Sequence, residues 1–195
     1  MERQFPFDDL AVTLKDGRRV RLRSACAEDA AAFRAYLLRA LPGTDGVATY
    51  TDEIGSVEDC RRRLVDDDPA RQGLSLVAEP ADGPGVIVGD CRLKAFNRRK
   101  LDGVVTVGMM CDHGWRGVGL GRAMLAAAVD WARASPGVRR VELGVMATNP
   151  SALALYRSLG FVEEGRFRGR FRQGDGSLVD DLAMVLEVGD GRLGV

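Results

Sequence analysis

Residues 104–161, VVTVGMMCDHGWRGVGLGRAMLAAAVDWARASPGVRRVELGVMATNPSALALYRSLGF, decide how this chain folds. A β-rich run from Val104 to Cys111 passes through the glycine loop Arg116-Gly117-Val118-Gly119-Leu120-Gly121 into a helical pattern. On that helix Ala123, Met124, Ala127, Ala128 and Trp131 share one face, and Pro136-Gly137 is the stop signal. A second run, Val138 to Ala147, is nearly continuous and apolar, as a strand covered on both sides should be. Asn149-Pro150 then opens a short helix that ends at Gly160.

Three alternate glycines feeding a helix let successive backbone N–H groups turn toward one point, where the positive helix end also favours an anion. The spacing separates the phosphate-binding folds that use such a loop. A nucleotide-binding P-loop needs Gly-Lys-Ser/Thr at its end, but Gly121 is followed by Arg122-Ala123, which supplies no hydroxyl for magnesium. A dinucleotide fingerprint needs G-x-G-x-x-G and an acidic residue closing the next strand; here the glycines run G-x-G-x-G and the strand ends in Met146-Ala147-Thr148. A tight strand-to-helix turn without a ligand is the remaining reading of the loop alone.

The loop does not stand alone. Arg116-x-x-Gly119-x-Gly121 after a strand, followed by Asn149 and then Ala154-Leu155-Tyr156-x-x-x-Gly160-Phe161, resembles the GNAT superfamily of N-acetyltransferases. The likeness is close over this stretch and extends loosely from about Val20 to about Val188. It implies acetyl-CoA as cosubstrate, with the pyrophosphate held by Arg116 and by the backbone of Gly117, Val118, Gly119, Leu120, Gly121 and Arg122. It also implies that the strand ahead of the loop splays, with Gly108 a plausible bulge residue, so that Met109, Met110 and Cys111 offer free backbone groups to the pantetheine arm. Asn149 would bond the same arm besides capping its helix. The hydroxyl of Tyr156 would point at the sulfur and protonate it as it leaves. Transfer in the superfamily is direct, so Cys111 is not expected to act as a nucleophile.

The expected general base is where the sequence departs from that pattern. Many members carry a glutamate on the strand ahead of the loop, or on the next strand about five residues before the asparagine; these positions are Thr106 and Gly144 here. Glu142, two residues from Gly144 and so on the same strand face, is the candidate for action through a water, and Glu53 is a second. His113, the only histidine, is expected on the cofactor side or the surface. The acceptor implied is a primary amine of a small molecule or a protein N-terminus. The competing function is an acyl-CoA-binding sensor without catalysis, which the missing glutamates favour and Tyr156 opposes, because a binder needs no acid for a thiolate.

Composition sets the frame around this stretch. With 195 residues and 46% apolar content the chain is expected to form one domain, 1–195, with residues 1–16 an N-terminal extension and 189–195 a frayed tail. Twenty-eight basic residues balance twenty-eight acidic ones, so no overall field points to nucleic acid or an anionic membrane. Cys26, Cys60, Cys91 and Cys111 form no C-x-x-C pair and suit neither a metal site nor a disulfide framework; a reducing cytoplasm fits them. The N-terminus is too polar for a signal peptide, and no apolar run reaches the roughly 18 residues of a membrane span. Self-association as a homodimer stays open.

Working outward, Arg18 to Arg23 alternates basic and apolar residues as a half-buried strand with a solvated face. Helices are expected over Glu28 to Leu41 and from Ser56 to about Asp66-Asp67-Asp68, an acidic run read as a solvated loop. Leu74 to Glu79 and Val86 to Phe96 form a hairpin, with the basic Arg98-Arg99-Lys100 at the following tip, and Phe161 to Phe171 pairs with Asp181 to Val188. The order predicts an α/β (α+β) fold: a mixed, mostly antiparallel sheet of about seven strands, splayed ahead of the glycine loop, with helices on both faces.

Overall fold

The structure, a computed structural model, describes residues 7–44, 46–65, 73–96 and 98–189. Among these residues eight strands, β1 (Leu10–Thr13), β2 (Arg19–Ser24), β3 (Gly73–Pro80), β4 (Gly89–Ala95), β5 (Val104–Cys111), β6 (Arg140–Met146), β7 (Val162–Arg172) and β8 (Leu178–Glu187), form one sheet in the order β1-β2-β3-β4-β5-β6-β8-β7. Among the described residues four α-helices accompany them: α1 (Ala30–Ala40), α2 (Val57–Leu64), α3 (Leu120–Ala134) and α4 (Pro150–Ser158). The architecture is the mixed, mostly antiparallel sheet expected, with one strand more. The additional strand is Leu10–Thr13, inside the segment read as an extension; four residues are too few for a periodic signal, and it exists by pairing with β2 through Leu10↔Leu22 to Thr13↔Arg19. The acidic run 66–68 and the tail beyond Gly189 lie outside the described residues.

The two sheet faces carry separate apolar clusters. Leu74, Leu76 and Ala78 of β3 pack with Leu120, Met124, Leu125, Ala128 and Trp131 of α3, while Val77, pointing the other way, packs with Phe33, Tyr36 and Leu37 of α1 and Cys60 and Leu64 of α2. The period-two alternation of β3 therefore puts apolar residues on both faces, because helices cover both. The same alternation sends Met109 toward α3 and Met110 toward α1 and α2.

Among the described residues only β5 and β6 run parallel, and their pairing stops after Val104↔Arg140, Val105↔Val141 and Thr106↔Glu142, although both strands continue. This is the expected splay. The expected bulge at Gly108 is absent: β5 stays in unbroken register with β4, from Ala95↔Val105 through Arg92↔Gly108 to Gly89↔Cys111. The gap opens because β6 diverges, not because β5 kinks.

Two sequence signals for helix starts appear as local chemistry. Ser56 caps α2, its side chain accepting from the Asp59 N–H while Asp59 accepts from the Ser56 N–H. Asn149 caps α4 in the same manner through the Ala152 N–H. The strand read as having a solvated face does so only in part. Arg19 and Arg21 are exposed, but Arg23 is enclosed and bonds Asp29 at 2.7 Å and Glu79 at 2.5 Å.

Candidate active site

The glycine loop forms the first part of the site. Gly117 and Gly119 have φ of +75° and +98°, the left-handed region that side chains disfavour, and Gly119 caps α3. A Cβ on Gly121 would approach the Met109 side chain to 3.2 Å, so its lack of a side chain lets α3 lie close against β5. Among the described residues, the N–H groups of 117–122 donate to no acceptor. A row of unspent donors at the positive end of a 15-residue helix fits a pyrophosphate.

Lys15 is the residue here that sequence reasoning missed. Its N–H donates to the Val118 carbonyl at 3.0 Å, and its side chain lies 3.5 Å from where a Gly119 Cβ would be. It arrives on the turn between β1 and β2, and no local pattern relates it to a loop about a hundred residues away. Arg116 and Arg122 face elsewhere. The Arg116 guanidinium bonds the Cys111 and Ala40 carbonyls and the Thr44 hydroxyl, bracing the end of β5 against the end of α1, and Arg122 bonds the Ser158 hydroxyl at 2.6 Å, tying α3 to α4.

The second part is a cavity of about 640 Å³ on the α1 and α2 side of the sheet. Thr106, Gly108, Met109 and Met110 of β5, Gly144 of β6 and Tyr156 of α4 meet there at the splay. Tyr156 is half-buried, stacks at a tilt 5.9 Å from Phe161, and is pushed up to about 12 by burial, so its hydroxyl keeps its proton across the neutral range. Burial also pushes the Cys111 thiol up to about 12, which makes it a poor nucleophile. Asn149 does not line the cavity itself but packs behind Gly46, which does. Gly46 packs so tightly on the Asn149 amide that a Cβ would come within 2.3 Å of Nδ2.

Thr106 and Gly144 both line this cavity, so the positions expected to carry a glutamate face the acceptor space without one. Glu53 lines the cavity too, with its carboxylate accepting from the Tyr50 N–H at 2.7 Å. Glu142 is placed differently. It pairs with Arg140 at 2.7 Å in a cluster that includes Glu164 and Glu187, and it is not among the cavity-lining residues. His113 is exposed, its Nε2 2.8 Å from the Pro42 carbonyl oxygen.

With a cradle of helix N-terminal amides, a splayed strand pair and a cavity beyond it in place, residues 39–161 match the model of the Acetyltransferase (GNAT) family. The chain belongs to that family. It is similar to a mycothiol acetyltransferase of Clavibacter michiganensis subsp. michiganensis, 40% identical over 93 residues that make up 44% of this chain. The match spans 29% of that relative's length. Among solved structures it is similar to a GNAT-family acetyltransferase from Streptococcus pneumoniae, with 26% identity, TM-score 0.79 and coverage of 87% of this chain and 99% of the other. It is also similar to a phosphinothricin acetyltransferase from Sinorhizobium meliloti in complex with AcCoA, with 25% identity, TM-score 0.76 and coverage of 94% and 93%.

Two further carboxylates come near this site unannounced by motif. Asp181 of β8 lies beneath Gly144, its Oδ1 2.8 Å from where the missing Cβ would be; that oxygen is buried without a partner, while Oδ2 pairs with Arg170 at 3.0 Å. Asp90 of β4 lines the cavity itself and is only 7% exposed.

Proposed function

We propose that the protein transfers an acetyl group directly from acetyl-CoA to a primary amine of a small molecule or of a protein N-terminus. The observation that carries this is the gap between β5 and β6, which has the unspent N–H groups of 117–122 at one end and the Tyr156-lined cavity at the other. The cofactor supplies the activated acetyl group, and the chain supplies position and protons. Gly117 to Arg122 hold the pyrophosphate, with Lys15 adding positive charge. The β5 edge at Met109, Met110 and Cys111 orients the arm that crosses the gap. Tyr156 donates a hydrogen bond to the departing sulfur. Burial keeps the Cys111 thiol protonated and a poor nucleophile, in agreement with direct transfer.

The cavity volume, about 640 Å³, lies within the usual range for small-molecule sites, roughly 300–1,000 Å³. Four free cysteines agree with a reducing, cytoplasmic setting, and among the described residues no helix is long and apolar enough to cross a membrane. Release of free thiol from acetyl-CoA with a panel of small amines and N-terminal peptides tests the reading. Thermal stabilisation by acetyl-CoA without thiol release from any acceptor would instead support the sensor reading, which the absence of glutamate at 106 and 144 favours.

A further inference from the structure

The reaction requires a neutral amine, and an ammonium group entering the cavity must lose a proton. Asp90 projects from β4 on the same face as Arg92 and Lys94, opposite Met110 of β5, and all four line the cavity. Its Oδ1 lies 3.0 Å from the hydroxyl of Tyr36, a side chain with no exposed surface, and that hydroxyl also lies 2.8 Å from the Met110 carbonyl oxygen. A tyrosine hydroxyl carries one hydrogen, yet this one faces two acceptors. Ionised Asp90 and the Met110 carbonyl compete for it. A proton on Asp90 resolves the competition: the carboxyl O–H donates to the Tyr36 oxygen, and the Tyr36 O–H donates to Met110. The cluster is arranged to receive one proton and hold it.

We propose that Asp90 is the general base of the acetyl transfer, taking a proton from the acceptor's ammonium group in the cavity; this rests on the acetyltransferase reading above. One N–H bond of the ammonium breaks and its proton goes to the Asp90 carboxylate. The freed lone pair forms the C–N bond to the thioester carbonyl carbon, and the C–S bond breaks. The second N–H proton ends on sulfur by way of Tyr156, and Asp90 later releases its proton to solvent. One ammonium and one thioester thus give one amide, one thiol and one proton.

The surroundings suit the task. Burial pushes the Asp90 carboxyl up to about 6, while the positive charge of Arg63, the Tyr36 hydrogen bond and the charge of Arg92 pull the other way. The groups around it are Tyr36 from α1, Arg63 from α2, Cys91 and Arg92 on its own strand and Cys111 from β5, with Asp112 following, and apolar Val77 of β3 lies opposite. A base ionised near neutrality and a strong enough acceptor at that pH is what the step needs. Asp181 has an unpartnered oxygen but does not line the cavity, and Glu53 is exposed.

The test is the pH profile of kcat/KM for two acceptors, an α-amine near pKa 7.7–8.0 and an alkyl amine near 10.4. With Asp90 as base, both share an acidic limb near 6 in the wild-type enzyme. Asp90→Asn removes that limb and lowers kcat/KM at pH 7 by about 10²- to 10⁴-fold, with acetyl-CoA binding by calorimetry unchanged. Arg63→Gln moves the limb upward, because a charge that favours the carboxylate is gone. Limbs that follow each amine's own pKa in wild type overturn the proposal, and this holds even if Asp90→Asn does not fold. So does an Asp90→Asn profile within about threefold of wild type, or a limb that survives there and disappears in Asp181→Asn. No thiol release with any amine refutes the acetyltransferase reading and the base together, whereas release with a limb independent of Asp90 refutes the base alone.

Discussion

Replacing Tyr156 with phenylalanine removes one oxygen from a half-buried side chain and leaves its ring on Phe161. The size of the effect follows from where burial has put the hydroxyl. Tyr156 is pushed up to about 12, while a thiol lies near 8.5, so complete transfer of the proton to a free thiolate runs uphill by about 5 kcal/mol. Tyr156 therefore acts as a hydrogen-bond donor to sulfur while charge develops, and it passes its proton to sulfur only as it receives the acceptor's second N–H proton. A hydrogen bond to a charged group contributes about 1.5–3 kcal/mol, which corresponds to a loss of about 10- to 150-fold in kcat. The expected result for Tyr156→Phe is that loss in single-turnover thiol release, with acetyl-CoA affinity and melting temperature close to wild type. No alkaline limb below about pH 10 should belong to Tyr156 in the wild-type profile. A variant within about threefold of wild type would show that the hydroxyl does not meet the sulfur.

Gly119→Asp should weaken acetyl-CoA binding more than tenfold by calorimetry, because it sets a carboxylate beside the unspent N–H groups; the φ of +98° adds about 1–2 kcal/mol of strain, so unchanged affinity in a folded variant removes the pyrophosphate from this loop. Glu142→Gln should leave the pH profile unaltered, since Arg140 holds that carboxylate outside the cavity, and a lost limb would restore it as a relay. Burial raises the Asp29 carboxyl, but hydrogen bonds from Arg23 and the Cys26 N–H outweigh this and hold it below the usual carboxylate value. Its contribution is thus present above about pH 4 and lost as pH falls through its folded value. Asp29→Asn should cost about 2–3 kcal/mol in urea melts at pH 7 and progressively less toward pH 3; an equal cost at both would assign the loss to packing.

The sequence by itself determined the elements whose signals are local. The glycine loop had to end a strand and begin a helix because only residues free of Cβ tolerate its backbone, and Ser56 and Asn149 had to start helices because their side chains cap backbone N–H groups a few residues away. The face of α3 carrying Met124, Ala128 and Trp131 was fixed by its period, and the joint spacing of Arg116, Asn149 and Tyr156 was enough to find the cofactor half of the site. Tertiary structure decided what has no local record. Whether β5 bends at Gly108 or β6 turns away depends on which neighbour holds register, and β4 holds it. Leu10–Thr13 becomes a strand only because β2 presents an open edge, and this brings Lys15 onto the glycine loop. Arg23 is one more alternating arginine until Asp29 and Glu79 close around it. The alternation Asp90, Arg92, Lys94 is the pattern of a strand face meeting water. Here α1 and α2 roof that face and leave a cavity beneath, and the hydroxyl that meets Asp90 comes from Tyr36, 54 residues earlier in the chain. A polar strand face has the same sequence whether it borders bulk solvent or an enclosed site, because the period reports only the direction of each side chain, and what lies in that direction is set by contacts distant in sequence.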